Sequence, residues 1–177
     1  MAKQSPYSVL KDVEDRCRTQ AVGLPSGAQI EDDWVGIGFE LCGEALIARM
    51  SEVSEILPPP DTIRIPGVLP WVRGLANVRG ALITVVDVQA LLCGSYIRPG
   101  KKNRLLIINQ DDIQAGMLVS EVHGLRRFKP EDRKPEAQAA QSPLKGLIDG
   151  SFGDECRQWS VFSVKRLVDN EQFLRVT

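Results

Sequence analysis

Apolar residues recur along this chain with two different periods. From Tyr7 onward, Leu10, Val13, Cys17 and Ala21 follow at steps of three or four, the spacing of one helical face, while Lys11, Asp12, Glu14, Asp15, Arg16 and Arg18 fill the polar side. Ser5 as N-cap, Pro6 at the first helical position, and Gly23 and Pro25 past the last turn mark both ends. The stripe needs a surface to lie on, either the chain's own body or a partner's groove. Pro25 to Gln29 reads as a linker, so the pattern predicts a helical N-terminal region over 1–33 and a separate domain over 34–177.

Beyond Trp34 the period shortens. Val35 to Leu41 and Ala45 to Ala48 flank Gly43-Glu44 as a hairpin, and Arg104 to Ile108 and Ile113 to Val119 flank Gln110 to Asp112 in the same way. Short strands at this spacing predict an all-β barrel or sandwich. Pro58-Pro59-Pro60 cannot continue a ladder and marks a loop, as does Lys129 to Ser142. Trp71 to Leu92 is the most informative stretch. Arg73 and Arg79 bracket Gly74 to Val78 as a cationic loop, and Leu82, Ile83, Val85 and Val86 then read as a buried strand that ends at Asp87, a cap for a short helix over Val88 to Leu92. Arg79-Gly80 reads as a turn that presents the guanidinium to a planar, bidentate partner, or closes an internal ion pair.

An internal echo with a period of about 70 residues runs through the second region. Met50 to Ile56 is answered by Val119 to Leu125, Arg73-Gly74-Leu75 by Lys145-Gly146-Leu147, and Asp87 to Leu92 by Ser163 to Val168. The common order predicts a duplicated β unit, with a binding cleft between its copies.

Composition narrows the functional classes. Twenty-two basic against 23 acidic side chains leave no overall footprint for nucleic acid or an anionic membrane. No run approaches the ~20 apolar residues of a membrane span, and the first residues lack the apolar segment of an export signal, so a cytoplasmic protein is expected. That setting favours four reduced thiols at Cys17, Cys42, Cys93 and Cys156, and their scatter, with one histidine, argues against a metal. Cys42 and Cys93, each beside a glycine, read as small hydrophobes. His123 stands beside Gly124 with no nucleophile motif and reads as a surface or internally satisfied residue. No glycine-rich phosphate loop occurs, and nothing selects an acid–base pair from Glu52, Glu55, Asp61 and Asp149. No catalysis and no cofactor is expected. Among Trp34, Trp71 and Trp159, at least two are expected in the core and Trp71 is the candidate for exposure.

Four segments then carry a family resemblance: Ser51 to Leu57, Gly74 to Gly80 with its strand into Asp87, Ala115 to Val122, and Lys145 to Gly150. Over about Trp34 to Val168 the chain resembles the CheW-like adaptors of bacterial chemosensory arrays. The helix with Arg16-Cys17-Arg18, the Trp34 to Phe39 stretch and Pro66 to Trp71 look most like the branch serving type IV pilus (twitching) systems. Thr84, where proline is usual, and Ser120, where aspartate is frequent, are mild departures. The resemblance implies two intertwined five-stranded SH3-like β-barrels with an added N-terminal amphipathic α-helix and a hydrophobic groove between the barrels. It implies no catalytic activity. It further implies a scaffold that couples the cytoplasmic tip of a methyl-accepting chemoreceptor to the regulatory domain of a CheA-like histidine kinase, reaching the membrane through its partners and not by insertion. Carried onto matching positions, Val53, Glu55, Leu75, Val78 and Arg79 lie at or near the receptor groove, with Glu55 holding Arg79, and Gly74 and Gly146 lie near the kinase-facing surfaces. A small β-barrel that binds nucleic acid or a ligand is the alternative.

Overall fold

The computed structural model describes residues 6–20, 33–110, 113–135, 143–153 and 157–175. The chain divides into two compact units, Met1–Glu31 and Asp32–Thr177, each taken by itself here. The first contains helix α1, Pro6–Gln20, with an Asp12–Arg16 ion pair one turn apart (2.6 Å) and exposed Tyr7, Leu10 and Val13. The Ser5 cap, Ala21 and the linker at Pro25 to Gln29 lie outside the described residues.

The second unit is built from β1 (Trp34–Leu41), β2 (Glu44–Arg49), β3 (Val53–Leu57), β4 (Val72–Val78), β5 (Ala81–Asp87), α2 (Val88–Cys93), β6 (Arg104–Gln110), β7 (Ile113–Val119), β8 (Glu121–Phe128), β9 (Ile148–Gly153), β10 (Gln158–Phe162), α3 (Val164–Val168) and α4 (Glu171–Leu174). Two five-stranded sheets result, in the orders β8-β1-β2-β10-β9 and β3-β6-β7-β5-β4. Moving every strand five places along the chain converts one order into the other, so the echo in the sequence is a duplication of β1–β5 in β6–β10. Each sheet takes strands from both copies, joined by a parallel pair at its centre, β2 with β10 and β5 with β7.

Both sheets curl. Phe128 on β8 and Phe152 on β9 stack at 4.7 Å although their strands are opposite edges of one sheet. Four inter-strand steps of about 4.8 Å would hold those edges roughly 19 Å apart if the sheet were flat. Inside this curl lies a small core of Trp34, Ile47, Phe128, Phe152, Trp159 and Val161. A larger core joins the other faces, from Phe39, Leu41 and Leu46 to Ile83, Leu105, Met117 and Phe162. Leu105 to Ile108 is buried on both sides of its strand, as its unbroken apolar run requires.

The segment from Arg73 to Val78, expected as a cationic loop, is strand β4, its backbone paired along β5, and only Arg79-Gly80 turns. The first hairpin turns at Cys42-Gly43, since Glu44 already pairs with Leu41, and both turn residues have positive φ (53° and 76°) as a two-residue turn of this hand demands. That tip brings Cys42 to Cys93 at the end of α2, where they form a disulfide with Cα atoms 6.4 Å apart; neither is the reduced small hydrophobe expected of it. Leu82 is exposed, because the alternation of β5 turns it away from the core that takes Ile83 and Val85. Trp71 is half-buried against the main core, its carbonyl accepting from the Asp87 amide at 2.8 Å, so the expected exposure is lost to strand pairing. The partner of Gly74 in the duplication is Gly150, not Gly146. Both have positive φ (130° and 137°), and both precede a residue bridged to an incoming loop, Leu75 to Ile63 and Ser151 to Lys134. A Cβ at either would run into that loop's carbonyl oxygen, which is why glycine stands at both. Asp87 and Ser163, by contrast, cap α2 and α3 as the echo predicts, accepting from the Ala90 and Arg166 amides at 3.0 and 3.4 Å.

Candidate functional site

The site forms where the edges of the second sheet meet. β4 and β5 join through Arg79-Gly80, with φ of 51° and 89°, and the Asn77 side chain accepts from the Gly80 amide at 2.8 Å. On that stiff turn the Arg79 side chain is 81% exposed, and its Nη2 meets Glu55 Oε1 of β3 at 2.8 Å. β3 and β4 are opposite edges of the sheet, so this ion pair spans its closing gap. The reading of Arg79 as an internal ion pair is therefore half right: the partner exists, but the guanidinium faces water.

The other residues singled out for a receptor are placed differently. Val53 and Val78 are buried in the main core and hold up the two backbones that carry Glu55 and Arg79. Leu75 is half-buried on the outer face of β4 and bridges Ile63. Cross-strand pairing puts Leu82 beside Asn77 on that same outer face, and Ile63 and Leu82 are exposed at 74% and 69%. Neither was expected there. The alternation Leu82-Ile83-Thr84-Val85 carried the signal for Leu82, while Ile63 is placed by a bridge that no local pattern encodes. Of the kinase-facing pair, Gly74 is buried on β4 in one sheet and Gly146 is exposed in a 3₁₀ turn, Lys145–Leu147, before β9 in the other. The structure does not put them on one element or in one sheet.

Arg73, one residue before Gly74, belongs to a second knot. The wholly buried Asp87 carboxylate accepts from its Nε and Nη2 at 3.2 and 2.6 Å and from the Ala90 and Ile97 amides. Two cavities flank this arginine, one of about 320 Å³ against Pro59, Pro60, Ile97 and Leu118, the other of about 450 Å³ against Arg64, Leu69 and Tyr96. The smaller cavity takes its lining from both copies, Arg73 and Val85 of the first and Leu118 of the second, all within one sheet.

The opposite sheet carries an analogous contact. His123 of β8 meets Arg157 (3.2 Å), just before β10, with Glu40 at 3.5 Å from Arg157 and the Trp159 ring edge-on to the imidazole. None of these neighbours is a serine, threonine or cysteine, and the imidazole Nε2 has a partner within the protein. Among the described residues, Glu52 is the carboxyl whose surroundings displace its titration. Burial pushes it above the ordinary value of 4.5, the Arg49 amide and charge pull it back, and Asp149 adds to the push. Asp149 itself is held by Arg166 at 2.6 Å. Among the described residues no group of three or more His, Cys, Asp or Glu side chains is placed to hold a metal, and no helix is long and apolar enough to cross a membrane. Trp34 and Trp159 are buried, so neither offers a face on which bases could stack, and Trp71 is half-buried.

Comparison with known proteins agrees with this architecture. A family model for the CheW-like domain matches residues 35–172. Protein PilI of Pseudomonas aeruginosa is 37% identical over 174 residues, covering 98% of this chain and 97% of that one. Chemotaxis protein CheW of Bacillus subtilis is 23% identical over 144 residues, covering 81% and 92%. The crystal structure of the scaffolding protein TtCheW from Thermoanaerobacter tengcongensis superposes with a TM-score of 0.69 at 18% identity, over 79% of this chain and 95% of that one, and so shares the fold.

Proposed function

This chain belongs to the CheW-like family, and from that premise we propose that it is a non-catalytic adaptor coupling the cytoplasmic tip of a methyl-accepting receptor to the regulatory domain of a CheA-like histidine kinase. The single observation that carries the reading is the Glu55–Arg79 pair: an exposed guanidinium on a rigid turn, aimed by a half-buried carboxylate, is built to orient another protein. The apolar row Ile63, Leu75 and Leu82 gives a receptor helix something to bury, while Val53 and Val78 act from beneath. Gly146 on its exposed turn belongs to the kinase-facing side, and Gly74 contributes there only through the shape of β4. Closure of each curled sheet into an SH3-like barrel, the two intertwined by their exchanged strands, is part of the same proposal, as are residence at receptor arrays and regulation of type IV pili. Near-full-length similarity to PilI supports the last of these.

Co-purification of the tagged chain with a receptor cytoplasmic fragment and a CheA-like kinase tests the proposal. A ternary complex that survives when salt is raised to roughly 0.3 M is expected, since apolar burial does not screen as exposed charge does. Retention of neither partner would remove the adaptor reading.

A further inference from the structure

The Cys42–Cys93 bond joins the tip of the β1–β2 hairpin, in one sheet, to the C-terminal end of α2, which leaves the other sheet at Asp87. The sequence separation is 51, so the bond closes a long loop. Both cysteines are half-buried residues. Cys42 is also one of two described non-glycine residues with positive φ, the other being Arg79 at the equivalent turn position of β4–β5. A bulky residue in that region is strained by its backbone, and such residues gather where conformation is put to use. Around the bond, Gln89 Oε1 accepts from the Cys42 amide at 3.3 Å and from Ser120 Oγ at 3.4 Å, so α2 stays beside the hairpin through polar contacts even without the covalent tie.

We propose that Cys42 and Cys93 form a reversible dithiol–disulfide couple, a modification site at which a dithiol reductant, small or protein-borne, opens a covalent clasp between the two sheets. A thiolate of the reductant attacks one sulfur of the bond and forms a mixed disulfide, and the other cysteine leaves as a thiolate that takes up a proton. The reductant's second thiol then displaces the remaining cysteine, which is protonated in turn. Two electrons and two protons have passed to the chain, and the reductant departs as its own disulfide. Oxidation by glutathione disulfide runs the reverse course and releases two glutathione thiols. Neither cysteine is fully enclosed, and the retained Gln89 contact keeps α2 beside the hairpin for closing. Opening is felt beyond the bond. α2 is anchored on the Asp87 carboxylate, which also gathers Arg73 and the Ile97 amide, so the clasp bears on β4 and on the cavities beside Arg73. This inference rests on where the fold places the two cysteines and stands whether or not the adaptor reading holds.

The full chain carrying Cys17→Ser and Cys156→Ser isolates the pair. It is equilibrated across a series of reduced to oxidised glutathione ratios, quenched with an alkylating agent and weighed intact. The expected result is a passage from no added alkyl groups to two within one redox transition, with a thermal midpoint about 5–10 °C lower in the reduced chain, the scale set by a long closed loop in a domain of this size. The same chain with Cys42→Ser added should show a midpoint that ignores the reductant. Failure of the bond to form at any ratio, equal midpoints for the two states, or a reductant response that persists after Cys42→Ser would each overturn the proposal.

Discussion

Arg79 occupies a backbone conformation that costs any residue with a Cβ, and its side chain lies in solvent with a single described ionic partner. Core packing offers no reason for an arginine there. Replacing it removes one exposed ion pair, worth about 1 kcal/mol or less, so Arg79→Ala is expected to fold, with a urea midpoint close to the parent, while receptor-tip affinity in a pull-down or titration falls roughly tenfold or more. Arg79→Gly, which also relaxes the turn, should lose the same affinity. Unchanged binding by either folded variant would separate this arginine from receptor recognition. Glu52 supports a prediction of the opposite kind. Its carboxyl is pushed up in the folded chain, so the stability it contributes is complete below the ordinary value of 4.5 and is lost as pH rises through the elevated one. Glu52→Gln keeps an acceptor for the Arg49 amide and removes the charge, and should gain on the parent as urea midpoints are followed from pH 4 to 7. A constant difference across that range would contradict the burial argument.

At the level of elements, the existence of the hairpins and the caps at Asp87 and Ser163 could be read from the chain, because each depends on a few neighbouring residues, although the first turn lies one residue earlier than its pattern suggests. The Arg79-Gly80 turn, the end of β5 at Asp87 and the cap on α2 are local events and lie where the pattern places them. What could not be read locally is where strands meet. Ile63 reaches Leu75 through a loop, and the Cys42–Cys93 contact depends on the packing of one sheet on the other. The Glu55–Arg79 pair lay between these cases: residue resemblance named it, but only the curl of the sheet explains how opposite edges touch. The two glycines proposed for the kinase surface separate on the same grounds. Gly74→Ala forces a Cβ into the Ile63 carbonyl at a φ of 130° and should cost about 2 kcal/mol or more in denaturant unfolding. Gly146→Ala enters open space and should stay within about 0.5 kcal/mol of the parent. A folded Gly146→Ala chain that no longer retains the kinase would then report contact and not collapse.

The whole molecule is two units of unequal weight. Met1–Glu31 forms its own compact unit, so deleting residues 1–30 is expected to leave the ten described strands folded and the second unit's urea midpoint near that of the full chain, while partner selection weakens. An insoluble truncated chain would make α1 part of the core. Duplication was visible in the sequence as ordered matches, of which Met50 to Ile56 with Val119 to Leu125 and Asp87 to Leu92 with Ser163 to Val168 hold, but their strand-level meaning was not, since a repeat does not say which copy supplies which edge. Here the order β8-β1-β2-β10-β9 gives the answer, with the exchange repeated in the other sheet. A nascent polypeptide that has emerged only as far as β5 therefore owns two open hairpins and no finished sheet; one sheet can be completed once β7 has followed, and the other stays open to chaperones until β10 has left the ribosome. The same interdependence means that two separately produced fragments, cut between β5 and β6, should each remain unstructured alone and regain their circular dichroism only on mixing.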